Sequence, residues 1–218
     1  MTRAPVVKIE VWFDLVCPWC LIGKRHLDSA LQSFRRCHPD VMVELAWHSH
    51  PLMPDIPADG VPFGDFYSKR LGGSDAVARR QAQVHEAAAA AGATIAFDRI
   101  ARFPSTLAAH RLVARAQWDG GTTKAQELIE ALFDAYFVRG EDIGAPSVLA
   151  AIAARHGIEM DGPALPLSPS PPVGHGVPLM RFNSTLSVEG AQPPRVLLDA
   201  LERALSEVNA NRFAAIEH

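Results

Sequence analysis

A change from strand to helix at residues 14–20 constrains the fold of this chain more than any other part of the sequence. In VVKIEVWF, residues 6–13, the side chains alternate, so that Ile9, Val11 and Phe13 share one face, as in a β-strand. From Pro18 onwards the apolar residues recur with a helical period instead. Between the two patterns lies D-L-V-C-P-W-C, which places two cysteines three positions apart. Both cysteines are therefore expected at the beginning of a helix.

The rest of the chain extends this strand and helix into an α/β protein. Residues 41–50, VMVELAWHSH, alternate again and predict a second strand, with a connection long enough for a parallel crossover. Four helices are predicted next, at Ser74 to Gly92, Ser105 to Asp119, Thr123 to Arg139 and Pro146 to Gly157. A hairpin around Asn183 and Ser184 and a helix from Pro194 to Val208 complete the chain. We predict one sheet unit, residues 1–64 and 165–218, interrupted by an all-helical insertion, residues 65–164.

Composition narrows the possible partners and compartments. The charged fraction is 21% and the net charge is -3, which lacks the basic excess of a nucleic-acid binder. No apolar run approaches the ~20 residues needed to span a bilayer, and residues 1–16 lack the pattern of a signal peptide. We therefore expect a cytoplasmic protein that binds neither membranes nor nucleic acid. Three cysteines are too few for a disulfide framework.

The beginning of the helix gives the two cysteines different chemistry. If Cys17 caps the helix, Pro18 takes the first helical position, where its missing N–H costs nothing. Backbone N–H groups and the helix dipole then favour a thiolate at Cys17, which makes it the expected nucleophile, exposed for attack. Cys20 lies one turn deeper and is the expected resolving thiol. Trp19 is expected to be exposed and to offer a flat apolar contact.

A metal site and a pair of structural thiols are the alternatives to a redox pair. A zinc site needs four ligands, and Cys37 with His38 lies at the far end of the helix, on the order of 25 Å away. We therefore expect no metal. Two packing cysteines would not require Pro18 and a strand-to-helix change at the same point, so the redox pair is favoured.

The motifs resemble those of one known family. The stretch D-L-V-C-P-W-C-L-I-G-K-R is followed, in order, by S-T-L-A-A-H-R-L, E-A-L-F-D-A-Y-F, G-E-D-I, G-V-P and V-E-G-A-Q-P-P. Together they resemble the DsbA-like thioredoxin-fold oxidoreductases, and within them the FrnE-like branch. The resemblance implies a thioredoxin fold with an inserted helical domain, and a dithiol in which Cys17 attacks and Cys20 resolves. It also implies that Pro178, preceded by Val177, is a cis-proline that holds substrate backbone beside the dithiol.

Further expectations concern the surroundings of the dithiol. Asp14 is a candidate to take a proton from Cys20, although it also suits a turn or capping carboxylate. His110 is a candidate to line the substrate groove, and a hydrogen-bonded structural histidine is the alternative. His175 is a candidate to stand near the thiols. The proline-rich stretch 162–176 departs from the family pattern, as do Ser105 and Arg181, which leaves substrate specificity open.

Three functions fit these features. The first is a thiol–disulfide oxidoreductase or isomerase that acts on protein, peptide or small-molecule thiols without a cofactor, with glutathione as a possible co-substrate and a monomeric or homodimeric state. The second is a glutathione-dependent isomerase of the hydroxychromene carboxylate type, or a kappa-type glutathione transferase; these share the architecture but typically have Ser where Cys17 stands. The third is a binding or chaperone-like protein whose disulfide is structural.

Overall fold

The first three elements form the predicted strand, helix and strand. The computed structural model describes residues 4–160, 165–167 and 176–214. In it β1 spans Val6–Phe13, α1 spans Pro18–Cys37 and β2 spans Met42–Ser49. The two strands are parallel, with Val6 opposite Met42 and Phe13 opposite Ser49, so α1 is the crossover between them.

Two further strands complete the sheet from the other end of the chain. The strands β5, Leu179–Phe182, and β6, Leu186–Glu189, form the predicted hairpin, and the strand order is β2-β1-β5-β6. The hairpin turns at Asn183 and Ser184, whose φ angles of 48° and 64° suit a two-residue connection between twisted strands. Strand β5 is antiparallel to β1, which brings the segment before Leu179 next to the end of β1.

The core of the sheet unit is built on β1, α1 and the last helix, α6, which spans Pro194–Ala214. This helix is longer than the predicted segment ending at Val208. Leu27, Phe34 and Leu201 are fully buried, and each such side chain stabilises the fold by roughly 1.5–3 kcal/mol. Helix α1, which begins at the two cysteines, packs against α6.

A mainly helical part lies between β2 and β5. Its helices are α2, Phe63–Leu71, α3, Ser74–Ala90, α4, Leu107–Phe133, and α5, Pro146–Arg155. A π-helical turn, Asp134–Val138, continues α4, and the two-residue strands β3, Val61–Pro62, and β4, Arg102–Phe103, pair antiparallel. The sequence analysis predicted two helices where α4 runs, and Gly121, with φ 70° and ψ -165°, does interrupt the helix there.

Two details differ from the predictions, and one predicted feature lies mostly outside the described residues. Gly73, with φ 123°, holds the N-cap position of α3, so Ser74 is its first residue and not its cap. The predicted boundary between residues 64 and 65 falls inside α2. Most of the proline-rich stretch 162–176, including His175, lies outside the described residues.

Among the helices that the structure describes, none has the length and apolar character to cross a bilayer.

Candidate active site

The first turn of α1 brings the two cysteines together. Cys17 holds the N-cap position with extended backbone angles, and Pro18 is the first helical residue. The carbonyl oxygen of Cys17 accepts the N–H of Cys20 at 3.0 Å and that of Leu21 at 3.4 Å. Both cysteines are free thiols, and their side chains are hydrogen-bonded to each other. This geometry allows a disulfide to form and break within one helical turn.

Cys20 is the deeper of the two thiols. Burial raises its pKa well above the ordinary value, and the hydrogen bond with Cys17 and the charge of Cys17 raise it further. The backbone N–H of Asp14 points at the sulfur of Cys20 at 3.5 Å and opposes this effect. Cys20 is therefore a protonated thiol at neutral pH and needs a proton acceptor before it can attack.

Cys17 is less exposed than the sequence analysis expected. Its exposed fraction is only 6%, against 3% for Cys20, because the helical part of the chain covers the first turn of α1. Cys17 instead lines a pocket of about 200 Å³, together with Pro18 and Trp19. Trp19 is likewise half-buried, and the guanidinium group of Arg80 lies 5.5 Å from its ring centre.

Val177 and Pro178 lie directly opposite the dithiol. The peptide bond between them is cis, and the carbonyl oxygen of Val177 is 3.9 Å from the sulfur of Cys17. The carbonyl oxygen of Pro178 accepts a hydrogen bond from Gly190 N–H at 2.8 Å, which fixes this segment to the end of β6. The backbone of residue 177 is thus positioned beside the reactive sulfur.

Gly23 permits this close approach and was missed by the sequence analysis. A Cβ atom at Gly23 would lie 3.0 Å from Cγ of Pro178, closer than nearly all real contacts of this kind. A glycine in the middle of a helix costs roughly 0.5–1 kcal/mol relative to alanine, so it indicates a packing requirement. That signal was present in C-L-I-G-K-R, but the sequence does not say what approaches the glycine.

Asp14 is fully buried at the end of β1 and accepts three hydrogen bonds. Its Oδ1 accepts the N–H of Leu15 at 2.7 Å and Nε2 of His110 at 3.0 Å, and its Oδ2 accepts the N–H of Leu52 at 2.7 Å. The residue therefore fixes both its own turn and the loop after β2. The same carboxyl group lies in the immediate neighbourhood of Cys20, whose pKa its charge raises.

His110 does not line the groove as the sequence analysis suggested. It is fully buried on α4, hydrogen-bonded to Asp14, and its ring packs edge-on against Phe13 with centres 5.3 Å apart. The hydrogen bond with Asp14 and the contact with Phe13 hold the ring in the interior, which is the structural alternative that the sequence also allowed. Within the described residues, Nδ1 of His110 and the hydroxyl of Tyr136 are buried without a hydrogen-bond partner.

The pocket beside Cys17 has apolar walls and a cationic edge. Its far side consists of residues from α2, α3 and the loops next to them: Leu52, Met53, Phe63, Phe66, Tyr67, Arg70, Leu71, Val77, Arg80, Gln81, Val84, Phe97 and Phe103. Burial, followed by the charge of Cys17, raises the pKa of Tyr67 to about 12, so this residue stays neutral. In the part of the chain that the structure describes, no group of three or more histidine, cysteine or acidic side chains is arranged to hold a metal ion.

The fold and the site define a thioredoxin-type protein, with a Cys-x-x-Cys turn at a helix N-terminus facing a cis-proline. A family model described as DSBA-like thioredoxin domain matches residues 8–165. The chain belongs to this family and is an enzyme of the disulfide oxidoreductase or isomerase type.

Solved structures share the fold at low sequence identity. The probable DsbA oxidoreductase of Streptomyces coelicolor superimposes with a TM-score of 0.74 and 24% identity, over 92% of this chain and 91% of that one. A 2-hydroxychromene-2-carboxylate isomerase gives 0.56 and 13% identity, over 94% and 98%. No curated protein sequence matches the chain. At these identities the structural likeness describes the fold alone.

Proposed function

We propose that the protein is a thiol–disulfide oxidoreductase of the FrnE-like branch that cycles between a Cys17–Cys20 disulfide and the dithiol. The observation that carries the proposal is the asymmetry of the pair. Cys17 lines the pocket and faces the carbonyl oxygen of Val177, whereas Cys20 is buried behind it with a raised pKa. This arrangement suits a pair in which Cys17 attacks first and Cys20 second.

The first step is attack by the Cys17 thiolate on a substrate disulfide. A mixed disulfide forms at Cys17 and one substrate thiol leaves. Val177 and Pro178 hold the substrate backbone beside the sulfur during this step, and Trp19 and the pocket contact the adjoining group. The helical part between β2 and β5, which we propose as an insertion over residues 65–164, forms the wall facing the dithiol.

The second step is attack by Cys20 on the mixed disulfide. Cys20 must first lose its proton, and Asp14, whose charge acts on Cys20, is the buried carboxylate that accepts it. His110 then acts as a positioning residue, since its hydrogen bond holds the Asp14 carboxylate in place. The products are a Cys17–Cys20 disulfide and a second substrate thiol. Glutathione is the proposed co-substrate that returns the pair to the dithiol, in a cytoplasmic setting.

Turnover of a disulfide substrate in a glutathione buffer tests this proposal. Replacing Cys17 by Ser should abolish turnover, and Cys20→Ser should slow it, because the mixed disulfide at Cys17 can then be released only by external glutathione. The alternative, a glutathione-dependent isomerase, shares the fold but does not need a resolving thiol. Isomerase turnover that survives Cys20→Ser and is lost with Cys17 would favour that alternative. A pair that resists reduction and alkylation altogether would favour a structural disulfide.

A further inference from the structure

The pocket next to Cys17 combines apolar walls with two arginines at its edge. Phe66 and Phe103 stack with ring centres 4.0 Å apart, and Tyr67 packs edge-on against Phe103. The volume of about 200 Å³ lies below the ~300–1,000 Å³ of pockets for drug-sized ligands, so it suits a single ring or a branched aliphatic group.

Arg70 and Arg80 give this pocket a positive edge. Arg70 donates a hydrogen bond to the sulfur of Met53, at 3.8 Å, and Arg80 contacts Gln83 Oε1, at 3.4 Å, and the Trp19 ring. Among the described residues neither guanidinium group is paired with a carboxylate, and no acidic side chain lines the pocket. Elsewhere in the described residues, Arg25 pairs with Glu130 and Arg181 with Glu10.

We propose that the substrate at Cys17 is a small disulfide with an aromatic or branched apolar body and a carboxylate. The apolar body occupies the pocket and the carboxylate pairs with Arg70 or Arg80. This inference rests on the proposed function and adds the chemical class of the substrate. The apolar walls of the pocket and the positive charge of the two arginines together select this substrate class. An apolar pocket alone would accept any apolar group, and arginines alone would attract any anion.

The exchange is balanced in atoms and electrons. The Cys17 thiolate attacks one ligand sulfur, and one half of the ligand leaves as a thiolate. Cys20, after losing its proton, attacks the Cys17 sulfur and releases the second half. Two electrons pass from the dithiol to the ligand, the two protons end on the released thiols or the solvent, and two equivalents of a thiol such as glutathione regenerate the dithiol.

Three disulfide probes separate the two parts of the proposal. Dithiobis(nitrobenzoate) is aromatic and carries carboxylates, dithiodipyridine is aromatic and uncharged, and dithiodiglycolate carries carboxylates on an aliphatic body. Each rate constant with the reduced protein, measured in a Cys37→Ser background because Cys37 is exposed, is divided by the rate constant of free glutathione with the same probe. We expect the normalised rate for dithiobis(nitrobenzoate) to exceed the other two by about ten-fold.

Arginine variants test the charge, with a matched control on the same helix. Arg70→Gln and Arg80→Gln should each lower the ratio of the dithiobis(nitrobenzoate) rate to the dithiodipyridine rate by about two- to five-fold, and the double variant by about ten-fold. Arg79→Gln removes the same charge next to Arg80, from an exposed residue that does not line the pocket, and should leave that ratio unchanged. Phe66→Leu should lower the ratio of the dithiobis(nitrobenzoate) rate to the dithiodiglycolate rate.

The outcomes distinguish this inference from the function on which it rests. The inference would be overturned if the ratio of the dithiobis(nitrobenzoate) rate to the dithiodipyridine rate were unchanged in the Arg70 and Arg80 variants, or fell equally with Arg79→Gln. Disulfide exchange itself would remain intact in either case. Failure of Cys17 to react with any of the three probes would instead overturn the proposed function.

Discussion

Gly23 and Pro178 touch across the active site, and no other residue type at position 23 would leave this contact unchanged. Gly23 lies one turn after Cys20 on α1, and a Cβ atom there would stand 3.0 Å from Cγ of the cis-proline. The distance between α1 and Pro178 therefore depends on the absence of a side chain at position 23. Val177, next to Pro178, faces the Cys17 sulfur with its carbonyl oxygen, so this contact lies directly beside the dithiol.

Substituting Gly23 by Ala should slow disulfide exchange at Cys17. The added methyl group must push Pro178 away, and overpacking of this kind costs typically 1–3 kcal/mol, against a gain of roughly 0.5–1 kcal/mol from the better helix former. We expect the free energy of unfolding to fall by about 1 kcal/mol, measured by denaturant titration, together with a lower exchange rate. The matched control is Gly64→Ala in α2, where a Cβ atom meets nothing within 4 Å. Faster exchange in a more stable Gly23→Ala protein would contradict this account.

The reduced protein should lose stability as the pH rises above about 9. Burial and the hydrogen bond with Cys17 raise the pKa of Cys20 in the folded state well above the ordinary value of a thiol. A raised folded-state pKa stabilises the protein below the unfolded-state value, and this contribution is lost as the pH rises towards the folded-state value. Denaturant titrations between pH 7 and pH 11 should therefore show a decline.

Comparison with Cys20→Ser isolates this contribution. The pKa of Tyr67 is about 12 and that of Tyr136 is also raised, because both are buried, so the tyrosines add their own decline at high pH. Subtracting the free energy of unfolding of Cys20→Ser from that of the parent protein removes the tyrosine contribution. If this difference in free energy is constant over the pH range, Cys20 does not titrate as the structure requires.

Asp14→Asn should slow the second step of exchange more than the first. The substitution removes the proton acceptor of Cys20, and positioned acids and bases contribute typically 10²–10⁴-fold, so we expect the resolution of the mixed disulfide to slow by at least about ten-fold. Stopped-flow detection of the two released thiols measures the steps separately. Since Asp14 also holds Leu15, Leu52 and His110, loss of local structure would slow both steps equally, and that result would assign Asp14 a structural role only.

The acidic side chain of Glu130 should stabilise the junction between α1 and α4. Nζ of the buried Lys24 lies 3.0 Å from Oε2 of Glu130, and Arg25 pairs with the same carboxylate. Burial raises the pKa of Glu130, but the hydrogen bond from Arg25 and the charge of Lys24 outweigh it, so the net shift is downward.

Glu130→Gln should therefore cost roughly 1 kcal/mol of unfolding free energy at pH 7, a value discounted for the partial exposure of the carboxylate. Because the pKa of the folded state is lowered, this contribution is present above the ordinary range of glutamate and is lost as the pH falls through the lowered value. The control Glu127→Gln lies on an exposed face of α4 and should change stability by less than about 0.5 kcal/mol. Equal effects of the two substitutions would rule out the junction as the cause.

The parts of the fold that could be predicted are those with a local sequence signal. The alternation before Phe13, the proline after Cys17 and the Asn183–Ser184 turn each predict an element that the structure contains. Gly121 also ends a helical segment as predicted, since its positive φ breaks the hydrogen-bond ladder. No separate helix was predicted for α2, although Phe63, Phe66, Tyr67 and Leu71 recur with a helical period. The β3–β4 pair was missed because two-residue strands carry no periodic signal and depend on their contact with each other.

The site could be predicted only as a set of residue types. Cys17, Cys20 and Pro178 were identified from motifs, but the burial of Cys17 depends on the helical part that packs over it. The position of His110 behind Asp14, and not in the groove, depends on the path of α4 across the sheet. The contact between Gly23 and Pro178 joins residues far apart in the sequence, and only the tertiary structure shows it.

The most direct test of the central claim is to trap the mixed disulfide. Cys20→Ser in a Cys37→Ser background, mixed with oxidised glutathione, should form one covalent adduct per chain at Cys17, detected by intact-protein mass and located by peptide mapping. The protein with Cys17 and Cys20 intact should form an internal disulfide with no lasting adduct, and Cys17→Ser should form neither. An adduct of equal yield in the Cys17→Ser protein would contradict the account, because Cys20 would then be the residue that attacks.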